Sequence, residues 1–93
     1  MQGIGKRFVY VLRSESTPNR HYVGVTSDVE NRLEWHNFGP DGQTRQHRPW
    51  KPVVVMEFGS ETTALRFERY LKTGSGRAFA KRHFGGDEGA ASI

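Results

Sequence analysis

The sequence predicts a small α/β domain: a three-stranded, at least partly antiparallel sheet flanked by helices, with the elements in the order ββαβαα. Two runs rich in β-branched and aromatic residues lie near the amino terminus, on either side of a turn-forming segment. Two later stretches have the apolar periodicity of amphipathic helices. A chain of 93 residues has room for one domain, whose core is one sheet packed against a few helices.

The first two strands form a predicted antiparallel hairpin. KRFVYVLRS (6–14) and HYVGVT (21–26) are separated by STPNR, which has the composition of a turn. Because side chains alternate along a strand, Tyr10 lies on one face of the first strand, and Tyr22 and Gly24 share a face of the second.

A helix is predicted directly after the hairpin. Ser27 followed by Glu30 matches the capping-box pattern, and the helix runs to about Asn37, where Gly39 and Pro40 stop it. The loop that follows, FGPDGQTRQHRPWKP, is long for a compact domain, and such loops are usually functional or mobile. We expect it to close over a substrate.

The second half of the chain contains one strand and two helices. VVVMEF (53–58) is predicted to be a well-buried strand. Ser60 and Glu61 open a second helix that extends to about Thr73, the segment GSG breaks that helix, and RAFAKRHF (77–84) forms a short third helix.

The composition limits the environment of the protein. It has no cysteine, which excludes disulfides and thiolate zinc sites. No stretch approaches the roughly 20 apolar residues of a membrane span, and the amino terminus lacks the apolar run of a secretory signal. We therefore expect a cytoplasmic protein without a membrane partner. The tail GGDEGAASI (85–93) is small and polar and is predicted to be disordered, which leaves a single domain over residues 1–84.

The charge is positive and unevenly distributed. The formal net charge is +4, and residues 64–84 contain six basic residues against one acidic residue, Glu68. Such a cluster is typical of nucleic-acid binders, although solvated basic faces are also common.

Three polar residues fall on helix faces that also carry apolar residues. Arg32 and His36 share one face of the first predicted helix, and Glu68 lies inside the apolar stripe of the second. A desolvated carboxylate without a partner costs several kcal/mol or takes up a proton. Glu68 therefore needs a metal, strong hydrogen-bond donors or a cation, and a structural ion pair with Arg32 also meets that need.

Together with Tyr10 and Tyr22, these side chains match the requirements of phosphodiester hydrolysis. That reaction needs a base for the attacking water, a cation for the phosphorane and help for the leaving oxygen. Arginine binds phosphate oxygens with two N–H groups, and a single carboxylate can hold a Mg²⁺ ion that keeps several waters. The set predicts a metal-dependent nuclease.

Five segments, in order, resemble the GIY-YIG nuclease superfamily, and in particular members related to the nuclease domain of the bacterial excision-repair incision subunit. The resemblance covers about residues 7–83. It departs from the family pattern at Val25, where some members have lysine, and in GRAFAK, where many have asparagine. The matching segments are FVY (8–10), YVG (22–24), RLEWHN (32–37), RPW (48–50) and LRFERYLKTGSGR (65–77).

The resemblance implies hydrolysis of DNA with one divalent cation, Mg²⁺ or Mn²⁺. It assigns catalytic roles to Tyr10, Tyr22, Arg32, His36 and Glu68, with Glu68 as the metal ligand, and it does not decide which tyrosine acts as base. For nucleic-acid binding we expect the residues beside the site, in the long loop and on the basic carboxyl-terminal face: Gly24, Asn37, Thr44, Arg45, Arg48, Lys72, Arg77, Lys81 and Arg82.

Two other classes of function remain open at this point. A catalytically inactive nucleic-acid-binding module would explain the basic helices but not the inward placement of Glu68 and His36. A structural or protein-interaction domain would make the charge incidental. A histidine metal site is a poor third candidate, because the four histidines lack a recognisable ligand spacing.

Overall fold

The computed structural model of the protein describes residues 5–40, 42 and 44–84. It confirms the predicted α/β class and the order ββαβαα. The predicted disordered tail, residues 85–93, lies outside the described residues. The elements are β1 (Arg7–Ser14), β2 (His21–Thr26), α1 (Val29–Phe38), a short 3-10 helix (Arg45–His47), β3 (Trp50–Phe58), α2 (Glu61–Leu71) and α3 (Gly74–His83).

The sheet has the strand order β2-β1-β3, and both pairs are antiparallel. In the hairpin Tyr10 pairs with Gly24, and on the other side of β1 Tyr10 pairs with Val55. A register shift between Val11 and Leu12 interrupts the pairing with β3. The first strand is therefore central, and its residues have neighbours on both edges.

The third strand is not the buried strand that its apolar run predicts. It begins at Trp50 and lies at the edge of the sheet, where Val53 is 37% exposed and Val55 is 42% exposed. An unbroken apolar run is compatible with a strand buried on both faces but does not fix the place of that strand in the sheet. Pro52 fits an edge position, since proline cannot donate to a ladder.

The two faces of β1 are buried in two separate clusters. Val9 and Val11 are fully buried on the side of α2 and α3, where they join Ala64 and Leu71. On the opposite face Tyr10, Leu12 and Trp50 form the second cluster, with Tyr22 and Leu33 packed against it. The alternation predicted for β1 is confirmed, and the second cluster carries the polar residues of interest.

The first helix starts one residue later than the capping-box pattern predicts. Asp28, not Ser27, is the N-cap, and its carboxylate accepts a hydrogen bond from the backbone N–H of Asn31 at 3.1 Å. The hydroxyl of Thr26 accepts from the N–H of Asp28 at 3.0 Å and so fixes the entry to the helix. Aspartate and serine are equally good N-caps, so the sequence pattern did not discriminate between them.

The segment GSG begins α3 instead of separating it from α2. Thr73 is the N-cap, and its hydroxyl accepts from the N–H of Gly76 at 3.0 Å. A Cβ at Gly76 would lie 1.7 Å from the carbonyl oxygen of Tyr70. Gly76 is therefore needed because the start of α3 packs directly against the end of α2. Within the described residues, no helix is both long and apolar enough to cross a membrane.

Candidate active site

A buried hydrogen-bonded chain joins β1, α1 and the long loop. The hydroxyl of Tyr10 lies 2.9 Å from Nε2 of His36, and Nδ1 of His36 lies 3.1 Å from the hydroxyl of Thr44. Tyr10 is 2% exposed, His36 is 0% exposed and Thr44 is 3% exposed. The predicted inward orientation of His36 is confirmed, and the imidazole has a partner at each nitrogen.

Gly24 gives Tyr10 the space that it occupies. A Cβ on Gly24 would lie 2.6 Å from the Tyr10 hydroxyl oxygen, well inside any normal contact distance. Because Gly24 is also the β2 partner of Tyr10, the phenol can lie across the neighbouring strand towards α1. Gly24 itself is buried.

Tyr22 adds a second phenol to the same cluster. Its ring centroid lies 6.1 Å from that of Tyr10, 4.6 Å from that of His36 and 6.4 Å from that of Trp50. Unlike Tyr10, Tyr22 is only partly buried. The cluster is therefore buried from solvent at Tyr10 and accessible to solvent at Tyr22.

The electrostatics of Tyr10 connect the two charged residues to this cluster. Burial raises the pKa of Tyr10 well above its ordinary value, and the nearby Tyr22 and the Glu68 carboxylate raise it further, whereas the Arg32 guanidinium lowers it. Arg32 and Glu68 therefore both act electrostatically on Tyr10. Of the five residues that the sequence selected, the structure brings Tyr10, Tyr22 and His36 into ring contact, and Arg32 and Glu68 influence Tyr10 through their charges.

Arg32 does not point into the core, as its helix face predicted. It is exposed, and its guanidinium lies over the ring of Trp35, 5.2 Å from the centroid. The long side chain leaves the helix face beside the apolar residues and keeps its charged end in water. The alternative ion pair between Arg32 and Glu68 is also not what the structure has.

Glu68 forms its ion pair with Lys72 one helical turn later. Nζ of Lys72 lies 2.7 Å from Oε2 of Glu68, and the glutamate side chain is 17% exposed while that of the lysine is 55% exposed. Glu68 is largely buried, as predicted, and its partner is a cation, one of the three kinds of partner that the sequence left open. A single, mostly desolvated carboxylate that already attracts a cation is compatible with one divalent ion whose remaining ligands are water and phosphate. Within residues 5–40, 42 and 44–84 there is no cluster of three His, Cys, Asp or Glu side chains that could hold a metal without such ligands.

The long loop is hydrogen-bonded to the carboxyl-terminal part of α1. The Arg48 guanidinium donates to the carbonyl of His36 at 2.6 Å and also to that of Gly39. Asn37 and the backbone of Trp50 exchange two hydrogen bonds, at 2.6 and 3.1 Å. The sequence suggested Asn37, Thr44 and Arg48 as nucleic-acid contacts. In the structure their side chains form hydrogen bonds within the protein instead.

The other residues suggested for nucleic-acid binding lie on the surface. Arg45 is exposed at the start of the 3-10 helix, and Arg77, Lys81 and Arg82 are exposed on α3. Lys72 is the partner of Glu68. The basic face of α3 is therefore available for a polyanion.

Sequence reasoning missed three interactions at the site. Lys72 follows Glu68 by one turn, a spacing that could have identified the pair. Trp35 lies about 120° from Val29 on a helical wheel, outside the apolar face, which is a signal of exposure. The pairing of Thr44 with His36 depends on the path of the loop, for which the sequence contains no signal.

Comparison with known proteins finds one matching family profile and several similar proteins. The sequence profile described as the GIY-YIG catalytic domain matches residues 6–84. A UPF0213 protein of Staphylococcus haemolyticus is 34% identical over 71 residues, which are 75% of this chain and 84% of that protein.

Two fungal relatives are much longer than this chain. The structure-specific endonuclease subunit SLX1 of Talaromyces stipitatus is 45% identical over 65 residues, covering 63% of this chain and 17% of its own length. The structure-specific endonuclease subunit SLX1 of Candida dubliniensis is 37% identical over 86 residues, covering 85% of this chain and 29% of its own length. The chain thus spans less than a third of either fungal protein.

Proposed function

The chain belongs to the GIY-YIG family, and on that premise we propose that it is a DNA endonuclease that hydrolyses a phosphodiester at the Tyr10–His36 cluster. The observation that carries the proposal is the contact of two phenols and an imidazole on the α1 side of the sheet, at a place where the Arg32 guanidinium and the Glu68 carboxylate both act electrostatically on Tyr10. The two SLX1 relatives, named as endonuclease subunits, support the same reaction class.

In this proposal Tyr22 is the tyrosine that contacts the attacking water. It is the more accessible of the two phenols, whereas Tyr10 is almost completely buried and its pKa is raised by that burial. Tyr10 therefore stays protonated at neutral pH and acts by positioning, together with His36, which is fully buried and holds Tyr10 through Nε2. The water oxygen forms a bond to phosphorus as its proton passes to the phenol oxygen of Tyr22, whose own proton leaves to solvent. The phosphorus–oxygen bond to the leaving strand breaks, and the leaving oxygen takes a proton from solvent.

Arg32 supplies the positive charge for the phosphate. Its guanidinium is exposed and beside the cluster, so phosphate oxygens can reach it without disruption of the core. Negative charge grows on the non-bridging oxygens as water adds to phosphorus, and a guanidinium binds two of those oxygens at once.

Glu68 is the residue that would hold a divalent cation, Mg²⁺ or Mn²⁺. When bound, the cation would supply Lewis-acid stabilisation of the leaving oxygen. Lys72 neutralises Glu68 through the 2.7 Å contact when no metal is there. The ammonium can move away from the carboxylate, because the lysine side chain is 55% exposed.

In this proposal the exposed cations bind DNA, and the more buried polar residues next to the site hold its elements in place. Arg45, Arg77, Lys81 and Arg82 contact phosphates, and Lys72 joins them once it leaves Glu68. Asn37, Thr44 and Arg48 keep α1 and His36 in place, and Gly24 keeps the space for Tyr10. We assign the whole activity to one domain within residues 1–84.

A cleavage screen tests the proposal. End-labelled single-stranded, duplex, flap and damaged DNAs are incubated with the protein in Mg²⁺, in Mn²⁺ and in EDTA, beside the variant Tyr22→Phe. We expect cleavage of at least one substrate with metal, none in EDTA, and a loss of rate in Tyr22→Phe. Tight binding of all these DNAs without cleavage under any condition would contradict the proposal and identify a binding module instead.

A further inference from the structure

We propose that Trp35 and Phe38 form an aromatic platform on which unpaired nucleobases stack, next to the phosphate bound by Arg32. This inference rests on the proposed function and adds a binding site to it. This aromatic platform consists of the outward side chains of Trp35 and Phe38 on α1.

The two rings are exposed although the rest of the site is buried. Trp35 is 39% exposed and Phe38 is 81% exposed, whereas Trp50, on the other side of the same helix, is 5% exposed. Both rings lie in the RLEWHN segment or directly after it, one turn apart on the same helix face. Large aromatic side chains that remain in water on a helix face indicate a binding surface.

The platform lies in a groove that begins at the candidate active site. One open depression of about 490 Å³ is lined by the amino-terminal turn of α1, Arg32 and Trp35. A second depression of about 370 Å³ is lined by Asn31, Glu34, Trp35, Phe38 and Gly39. Because Asn31 and Trp35 belong to both, the two depressions form one groove along α1 from Arg32 to Gly39.

The charges along this groove fit a nucleic-acid strand. Arg32 stands over Trp35 near one end of the groove. The polar groups of the wall also include the Asn31 amide and the carboxylates of Asp28 and Glu34. A guanidinium suits a phosphate, while an amide and carboxylates suit the amino groups on base edges.

The spacing fits consecutive bases. Residues one turn apart are separated by about 4.5 Å along a helix axis, from a rise of about 1.5 Å per residue. That separation is close to the roughly 3.4 Å between successive nucleotides of a strand. A membrane surface or a protein partner would favour a wider apolar patch without a carboxylate such as Glu34 in its wall. A strand with unpaired bases is therefore the occupant that the groove fits best.

Tryptophan fluorescence tests the platform directly, because the chain has two tryptophans and the other one is buried. The full chain is titrated, in EDTA, with a single-stranded oligonucleotide of mixed sequence and with the same sequence as a blunt duplex. We expect saturable quenching by the single strand and little quenching by the duplex. Trp35→Ala should weaken single-strand binding about 5- to 150-fold, the range for loss of one base–aromatic stack, whereas Trp35→Phe should retain most of it.

Two further variants separate stacking from a general loss of structure. Phe38→Ala removes the most exposed of the large apolar side chains that the structure describes and should lower the ratio of single-strand to duplex affinity without a change in melting temperature. Tyr70→Ala is the matched control, since Tyr70 is 38% exposed on α2 and should leave that ratio unchanged.

The outcomes distinguish the platform from the proposed function. Metal-dependent cleavage together with unchanged single-strand affinity in Trp35→Ala and Phe38→Ala would overturn the platform and leave the nuclease intact. A self-association in sedimentation that both variants abolish would likewise overturn it, because the rings would then join two copies of the chain. Failure of the wild-type chain to bind or cleave any nucleic acid would overturn both proposals.

Discussion

At the scale of single residues, the side chains of the candidate site differ in solvent exposure, from fully buried to exposed. His36 and Tyr10 are buried and hydrogen-bonded to each other, Tyr22 and Glu68 are partly buried, and Arg32 is exposed. Residues at the buried end can act only through their neighbours, whereas those at the exposed end can touch a phosphate or water. This order gives each residue a role that a separate measurement can check.

The buried phenol predicts a pH effect on stability. The pKa of Tyr10 is raised in the folded state above its ordinary value of 10.0, so the unfolded chain loses this proton first as the pH rises. The contribution of Tyr10 to stability is complete below about pH 10 and is lost above it. Urea unfolding between about pH 8 and pH 11 should show a smaller alkaline loss of stability in Tyr10→Phe than in the wild type. Equal losses in the two proteins would mean that the Tyr10 hydroxyl titrates as if exposed.

The exposed guanidinium predicts a catalytic effect without a structural one. Arg32→Ala should lower kcat by about 10²–10³, as for loss of one preorganised donor, while the free energy of unfolding changes by less than about 0.5 kcal/mol, as for a surface residue. Arg32→Lys should recover little activity, because an ammonium cannot reproduce the two-pronged contact. Single-turnover cleavage beside thermal unfolding checks both expectations. A large drop in melting temperature with near-normal cleavage by the folded fraction would show that Arg32 is structural.

At the scale of elements, the long loop and α1 form one unit. Thr44 holds His36, Arg48 holds the carbonyls at the end of α1, and Asn37 is locked to the backbone of Trp50. The Trp50 indole N–H also donates to the carbonyl of Thr44 at 2.8 Å. The loop therefore fixes the helix that carries Arg32 and His36, and this part of it is held too firmly to close over a substrate as the sequence predicted.

Removal of one hydroxyl tests the loop. Thr44→Val keeps the shape of the side chain but takes away its hydrogen bond to Nδ1 of His36. Loss of a buried partner should cost about 1–3 kcal/mol in urea unfolding. It should also lower kcat with little change in KM, because it loosens the positioning of Tyr10 and not DNA binding. Thr62→Val, at an exposed threonine of α2, is the control. A KM effect alone would indicate that Thr44 contacts the DNA.

The basic face of α3 predicts the salt dependence of binding. Substitution of Arg77, Lys81 and Arg82 by alanine should weaken DNA affinity and reduce the slope of log Kd against log salt by up to about three, roughly one per phosphate contact. A triple variant at Lys6, Arg20 and Lys51, which are exposed elsewhere, removes the same charge and should change the slope much less. Equal slopes in the two triple variants would indicate that DNA does not lie along α3.

At the scale of the whole molecule, local sequence patterns predicted the secondary structure better than they predicted where each element and side chain lies in the fold. The hairpin, the burial of His36 and the need of Glu68 for a cation follow from alternation, helical periodicity and the cost of a desolvated charge. The edge position of Val53 and Val55, the outward path of Arg32 and the packing that makes Gly76 the start of α3 depend on tertiary contacts. Local sequence patterns indicate which face of a strand or helix is apolar, but whether a given side chain on that face is buried, and by which neighbours, depends on tertiary contacts.

The central claim is that this one small domain cuts DNA with a single cation held by Glu68. Single-turnover cleavage of a labelled DNA across a range of Mg²⁺ concentrations, compared between wild type, Glu68→Gln and Lys72→Met, tests it most directly. We predict that Glu68→Gln unfolds like the wild type but does not cleave at any Mg²⁺ concentration, and that Lys72→Met cleaves with a lower Mg²⁺ requirement because the competing ammonium is gone. Cleavage by Glu68→Gln at the wild-type rate and Mg²⁺ dependence would contradict the claim.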